Sequence, residues 1–257
     1  MLYKNLKSIG YNGGQYKAIM KGGNCLAGLS DAYSYIKITS NMECDVAIWE
    51  SFCGNDLMHR AYHFNEGDNY ILAPEAIYNK TAYSLFIDVN ANDIPVFDFD
   101  FTNFKVRNYI DIIREGTWEM GEIICPDNIS LGFGDVLFAT DSKARDLRGK
   151  KIHYMNIPAS MPYDITFGTI YYPSNYSEKE MPSFGFLQIN SIEGIDSSVT
   201  KIRMIDEHLL KHNLTQIMNA NQDNHAITIY VSEDAYNLVD DDLRTLAEEK
   251  NFTIEIY

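Results

Sequence analysis

Residues 226–257, AITIYVSEDAYNLVDDDLRTLAEEKNFTIEIY, carry the clearest pattern in this 257-residue chain. Ala226 to Ser232 is a short β-branched and apolar run, the mark of a strand covered on both faces. Ser232 can cap a helix whose first turn holds Glu233 and Asp234, charges favoured at a helix N-terminus. Ala235, Leu238, Val239, Leu243, Leu246 and Ala247 fall three and four apart and build one apolar stripe. Asn251 suits a left-handed stop. Phe252, Ile254 and Ile256 then alternate with Thr253, Glu255 and Tyr257, which predicts a strand with two different faces. The stretch is a strand–helix–strand unit, an α/β module that by itself names no chemistry.

Upstream the pattern changes to period two. Tyr35 to Thr39, Asp45 to Glu50, His59 to Phe64, Tyr70 to Leu72, Tyr83 to Val89 and Val96 to Phe101 alternate between Asn, Asp and Gly turns. Short strands at this spacing predict an antiparallel sandwich or barrel. Residues 105–125 mix helical spacing with β-branched residues and lean towards strand. Leu131 to Thr140, Ile152 to Ile157, Ile165 to Tyr172 and Phe184 to Ile189 are strand-like. Asp141 to Lys151 holds Lys143, Arg145, Arg148, Lys150 and Lys151 and reads as a solvated turn or short helix. Val199, Ile202, Ile205, Leu209 and Ile217 support a helix over 198–219, with Lys201 to Ile205 as a competing strand. The expected fold class is mainly β, an antiparallel sandwich or barrel-like arrangement, followed by a small C-terminal α/β module. Residues 1–172 form the β-rich domain with an N-terminal arm, 173–182 a linker, and 183–257 the α/β module. No internal repeat is evident.

Composition narrows the function. The net charge is −15, which repels phosphate backbones and anionic lipid, so neither nucleic acid nor membrane is an expected partner. Cys25, Cys44, Cys53 and Cys125 form no CxxC pair and read as free thiols in a reducing cytosol. The N-terminus lacks the apolar run of a signal peptide, and no stretch is long enough to span a bilayer. The expected location is the cytoplasm of a producing cell. Gly13-Gly14 and Gly22-Gly23 mark turns; a phosphate loop would need a following Lys-Ser/Thr.

Four residues are candidates for chemistry. Asp98 and Asp100 sit two apart on a strand, so both point one way, with Phe97, Phe99 and Phe101 opposite. Paired carboxylates can act as acid and base or hold a metal, although any strand with one wet face has this appearance. His59 and His63 share a face on either a strand or a helix, but the glutamate of the zinc-protease motif is missing. Surface histidines are the blander reading. Asp88 to Asp93 starts like a calcium loop but has Asp93 in place of the turn glycine and lacks the closing glutamate, so it reads as an Asx-rich turn. No GxSxG elbow is present, and Cys25 would need His153 or His59 brought to it in space. Trp49, Trp118, Tyr171 and Tyr172 are aromatic anchors or core residues.

These features lean away from an enzyme and towards a structural or assembly protein of a multi-subunit particle, such as a phage neck, tail or baseplate. Its partners would be other protein subunits, copies of itself included. Phe252, Ile254, Ile256 and Tyr257 are the interface candidates, since a terminal strand can extend a neighbour's sheet. No cofactor or metal is expected. The alternatives are a glycan- or ester-acting hydrolase using the paired Asp or His residues, and an acidic inhibitor of a basic protein.

Overall fold

A computed structural model describes residues 19–21, 24–27, 34–52, 56–72, 82–106, 108–158, 164–173, 181–185, 187–205, 207 and 209–257. The arm before residue 19, the Gly22-Gly23 pair, Cys53 and the linker interior 174–180 lie outside the described residues. The described residues are mostly β, and their α-helices lie in the C-terminal part.

Strands β1 (Ile19–Lys21) and β2 (Asn24–Ala27) form a small hairpin. Strands β3 (Tyr35–Ser40), β4 (Cys44–Phe52), β5 (Asp56–Phe64), β6 (Gly67–Leu72), β7 (Ala82–Val89) and β8 (Val96–Asp100) follow the period-two runs. Here the antiparallel expectation holds: β3 pairs antiparallel with β6 and β8, and β4 with β5 and β7.

Among themselves the strands from β7 onward pair in parallel, which corrects the antiparallel expectation for the rest of the chain. Strands β9 (Tyr109–Gly116), β11 (Ser130–Gly134), β12 (Lys151–Asn156), β14 (Ser183–Gly185), β16 (Lys201–Met204), β17 (Ile227–Val231) and β18 (Phe252–Ile256) line up beside β7 in sequence order. Every neighbouring pair from β7 to β18 is parallel. Parallel neighbours need a return path, and the chain supplies it as a second layer. That layer holds β8 and β10 (Glu119–Ile124), in a four-stranded sheet with β3 and β6, and then β13 (Asp164–Ile170) and β15 (Gln188–Ile195), which stay joined to the long sheet where the end of β13 pairs with the start of β12. There β10 runs parallel to β8, and β15 to β13. After β15 the second layer switches to helix: α1 (Leu210–Ala220) packs on β15, and α3 (Asp241–Glu249) packs on α1. The result is a two-layered solenoid in which each circuit rests on its neighbours.

The circuits differ in length. Tyr109, Ser130 and Lys151 lie side by side, a step of 21 residues. Ser183 to Arg203 takes 20, Ile227 to Phe252 takes 25, and Tyr154 to Ser183 takes 29. Backbone repetition is therefore present without a fixed sequence period. The sheet is continuous across 173–182, since β12 pairs with β14 and β13 with β15.

Between the layers lies one apolar core. Phe97, Phe99, Phe101 and Trp118 from one side meet Ile48, Phe64, Ile87 and Ile112 from the other, all fully buried. Trp118 ties the layers together: its ring packs 5.5 Å from Phe97, and its indole N–H donates to the Ile87 carbonyl at 2.9 Å.

The C-terminal unit departs from the sequence reading in two details. The helix expected after Ser232 is broken into α2 (Glu233–Asn237) and α3. Ser232 caps α2 as expected, but Asp240 caps a fresh helix by accepting from Leu243 N at 2.9 Å, and Leu238 is left 57% exposed. The helix expected over 198–219 begins only at Leu210, and 201–204 is the competing strand. Asn251 has φ +61°, the left-handed stop expected there. Residues 143–145 form a single 3-10 turn in the basic patch.

Candidate functional site

The structure separates the two catalytic candidates. Asp98 and Asp100 do share the outer face of β8, opposite the buried Phe97 and Phe99. Each carboxylate is engaged by different groups. Asp98 Oδ1 accepts from Glu122 N at 2.7 Å, in a niche kept open by Gly121, where an added Cβ would stand 2.2 Å from that oxygen. Burial pushes the Asp98 carboxyl above its ordinary range, partly opposed by the Glu122 N–H. Asp100 Oδ1 accepts from Thr102 N at 2.9 Å, and its other oxygen lies 3.8 Å from Lys37 Nζ.

His59 and His63 share the outer face of β5, with exposed Ala61 between them. That face belongs to the other sheet, so the core stands between the histidines and the aspartates. His59 stacks on Trp49 with ring centroids 4.7 Å apart. His63 bonds Asp45 through Nδ1 and Glu43 through Nε2, both at 2.8 Å, on the rim of a shallow groove that also takes in Ala61, Asp88 and Asn90. Those two carboxylates hold the imidazole above its ordinary pKa. They sit on opposite ring nitrogens, so they clamp the ring instead of converging on a cation. Among the described residues no group of three or more His, Cys, Asp or Glu side chains is placed to hold a metal ion.

The other candidates resolve simply. Asp88 is the last but one residue of β7, and the Asn90 to Asp93 stretch bends towards β8, exposed except for the half-buried Ala91. Cys44 and Cys125 are buried free thiols, and burial pushes the Cys125 thiol up to about 12, far from thiolate chemistry. The side chains of Cys25 and Cys53 lie outside the described residues, as does any pairing of Cys25 with His153 or His59. Trp118 is core, while Lys151 sits 4.5 Å from the centre of the Tyr171 ring.

Two polar clusters went unseen in the sequence. His153 is fully buried, and its Nε2 meets Asp111 Oδ1 at 2.9 Å; Ser84 donates to Asp111 Oδ2 at 3.2 Å. Asp111 reaches His153 across the intervening strand β11 because Gly132 lies between them. A Cβ there would be 2.1 Å from Asp111 Oδ1. The register shift between Leu131 and Gly132 makes room for His153 as an extra residue in β12. The serine bonds the aspartate and not the histidine, so the array lacks the order of a nucleophilic triad. The second cluster surrounds Glu50, whose side chain is fully buried. Tyr83 donates to its Oε1 at 2.9 Å, and Arg60 Nε lies 3.6 Å from Oε2. Both arrays were hidden because their members lie tens of residues apart, 42 for His153 and Asp111.

The interface candidates occupy the end of the solenoid. β18 is the edge strand of the twelve-stranded sheet. Phe252 is buried in the core and Ile254 packs partly against it, so their side chains are committed inward. Ile256 and Tyr257 are 48% and 49% exposed, and Arg203 lies 4.1 Å from the centre of the Tyr257 ring. Two bonds fix which backbone groups face out. Ile227 N donates to Asn251 O at 3.2 Å, and Tyr257 N donates to Val231 O at 3.1 Å. In a parallel ladder alternate residues face one neighbour. Asn251, Thr253, Glu255 and Tyr257 therefore bond to β17, and the N–H and C=O groups of Phe252, Ile254 and Ile256 point to the other side, an edge that no strand covers among the described residues. Among the described residues no helix is long and apolar enough to cross a membrane. No family model, curated protein or solved structure matches this chain.

Proposed function

We propose that the chain is a structural, assembly component of a multi-subunit particle, of the kind a virion neck, tail or baseplate contains, acting through protein–protein contacts. The observation that carries this reading is the open edge of β18. Natural edge strands are guarded by charged side chains, lysine above all, by proline, a bulge, shortness or a cover. Residues 252–257, FTIEIY, hold one charge, Glu255, and no lysine or proline, and the β17–β18 register runs without a shift from Ile227–Phe252 to Val231–Ile256. An edge of this kind extends a neighbouring sheet through main-chain hydrogen bonds. The hydrolase alternative, which would use the Asp pair or the His pair, has less support, because Asp98 and Asp100 are each held by separate groups and His63 is clamped between Asp45 and Glu43.

Ile256→Pro tests the reading. Proline removes the outward Ile256 N–H and spares every bond to β17, a placement that edge strands tolerate. Native mass spectrometry of the tagged chain from its producing cells should give a complex of several chain masses for the wild type. The variant should be recovered as a single chain with an unchanged far-ultraviolet dichroism spectrum. A wild type recovered alone, or a variant recovered in the same complex, would overturn the proposal.

A further inference from the structure

We infer that β18 pairs with β18 of a second copy, antiparallel, about a two-fold axis at Ile254. This deepens the assembly reading above and rests on it. The outward groups of the edge belong to Phe252, Ile254 and Ile256, so only registers that set these residues opposite one another form a ladder. Three two-fold registers do so over most of the strand, and side chains separate them.

Centred on Thr253, the pairing sets Phe252 against Ile254 and leaves the exposed Ile256 beyond the partner strand. Centred on Glu255, it places the two Glu255 carboxylates directly opposite each other, which is repulsive. Centred on Ile254, it pairs Phe252 with Ile256 and Ile254 with itself, so all three outward residues bond and Ile256 gains an apolar neighbour. On the other face Glu255 then meets Thr253. The axis runs perpendicular to the sheet, so both copies keep their helical layers on one side and a single sheet runs through the pair. A two-fold contact is closed and self-complementary, and gives a dimer instead of a fibre.

Cysteine cross-linking reads the register directly. In the Ile254-centred pairing, Thr253 and the partner's Glu255 form a non-hydrogen-bonded pair with Cα atoms about 4.5 Å apart, inside the range of a disulfide. Two Thr253 residues would be diagonal neighbours about 7–8 Å apart, too far to bridge. Both positions are exposed, so substitution leaves the core untouched. Purified Thr253→Cys and Glu255→Cys chains, one of them tagged, are mixed and mildly oxidised, with the wild type as control for native thiols.

The expected result is a mixed disulfide dimer, at least tenfold above either homodimer, lost when Ile256→Pro is added. Light scattering of the wild type should give twice the chain mass. A dominant Thr253→Cys homodimer, or a monomeric wild type with no mixed disulfide, overturns the inference. If the complex from cells still depends on Ile256 in that case, the assembly reading stands with a different partner. If that dependence fails too, both fall.

Discussion

Gly132→Ala tests whether the crossing from Asp111 to His153 works as described. An added Cβ would stand 2.1 Å from Asp111 Oδ1 and 3.1 Å from His153 Nε2. The carboxylate is the free end of a side chain and can swing away, so the clash itself is cheap. The cost is the bond it abandons. His153 is fully buried and Asp111 nearly so, with 0% and 15% of their side chains exposed. A buried hydrogen bond to a charged group is worth about 1.5–3 kcal/mol. Against this, replacing glycine by alanine recovers about 0.4–1 kcal/mol of unfolded-state entropy. The net expectation is a loss of about 1–2 kcal/mol, read as a lower urea midpoint with an unchanged slope. The decisive comparison is the same substitution in an Asp111→Ala background. There the obstructed group is gone, and Gly132→Ala should be neutral or slightly stabilising, a coupling of about 2 kcal/mol in the double-mutant cycle. Equal destabilisation in both backgrounds would refute the reasoning and point to the β11 backbone itself.

Gly168→Ala should be worse, because the obstruction is main chain: its Cβ would lie 2.0 Å from Lys150 O and 2.4 Å from Leu147 O. A loss of about 3 kcal/mol or more is expected by denaturant titration, and a midpoint within error of the wild type would show that the 147–150 turn yields freely. Burial, opposed by Arg60 and Tyr83, holds the Glu50 carboxyl above its usual value of 4.5. Between the unfolded and folded values the native state binds the extra proton, so stability should fall as pH rises through that window. Glu50→Gln should flatten this part of the profile while keeping an acceptor for Tyr83, and an identical slope in both proteins would contradict it.

The strands were legible because an inward–outward alternation is written directly into side-chain polarity. Phe97 and Phe99 against Asp98 and Asp100 is the plainest case, and Asn251 announced its own backbone. Strand direction was not legible. A run such as Ile152 to Ile157 is equally apolar whether its neighbour runs up or down, and direction is set by where the return path goes. The repeat was hidden for a related reason. The core asks each circuit only for apolar residues at inward positions, so steps of 20, 21, 25 and 29 residues all close. The split between α2 and α3 lay in Asp240-Asp241-Asp242, where a cap outcompeted a continuous stripe through Leu238. Of the candidate site, the shared faces of the aspartates and of the histidines could be read. That they face opposite ways could not, nor could the position of β18 at a sheet edge.

The change of the second layer from strand to helix has a geometric consequence. Strands in the front sheet keep a pitch of about 4.8 Å throughout. Past β15 the second layer consists of α1, packed on β15, and α3, packed on α1 and β18, and packed helices sit about 8–10 Å apart. One side of the stack must then be longer than the other by about 4 Å per circuit, across layers about 10 Å apart. The C-terminal circuits behave like wedge-shaped bricks in an arch, each turning the axis by roughly 20–25°. The circuits before them have no such mismatch. Arg203, Tyr230 and Tyr257 lie on the side of these strands that such a mismatch would make the inside of the turn.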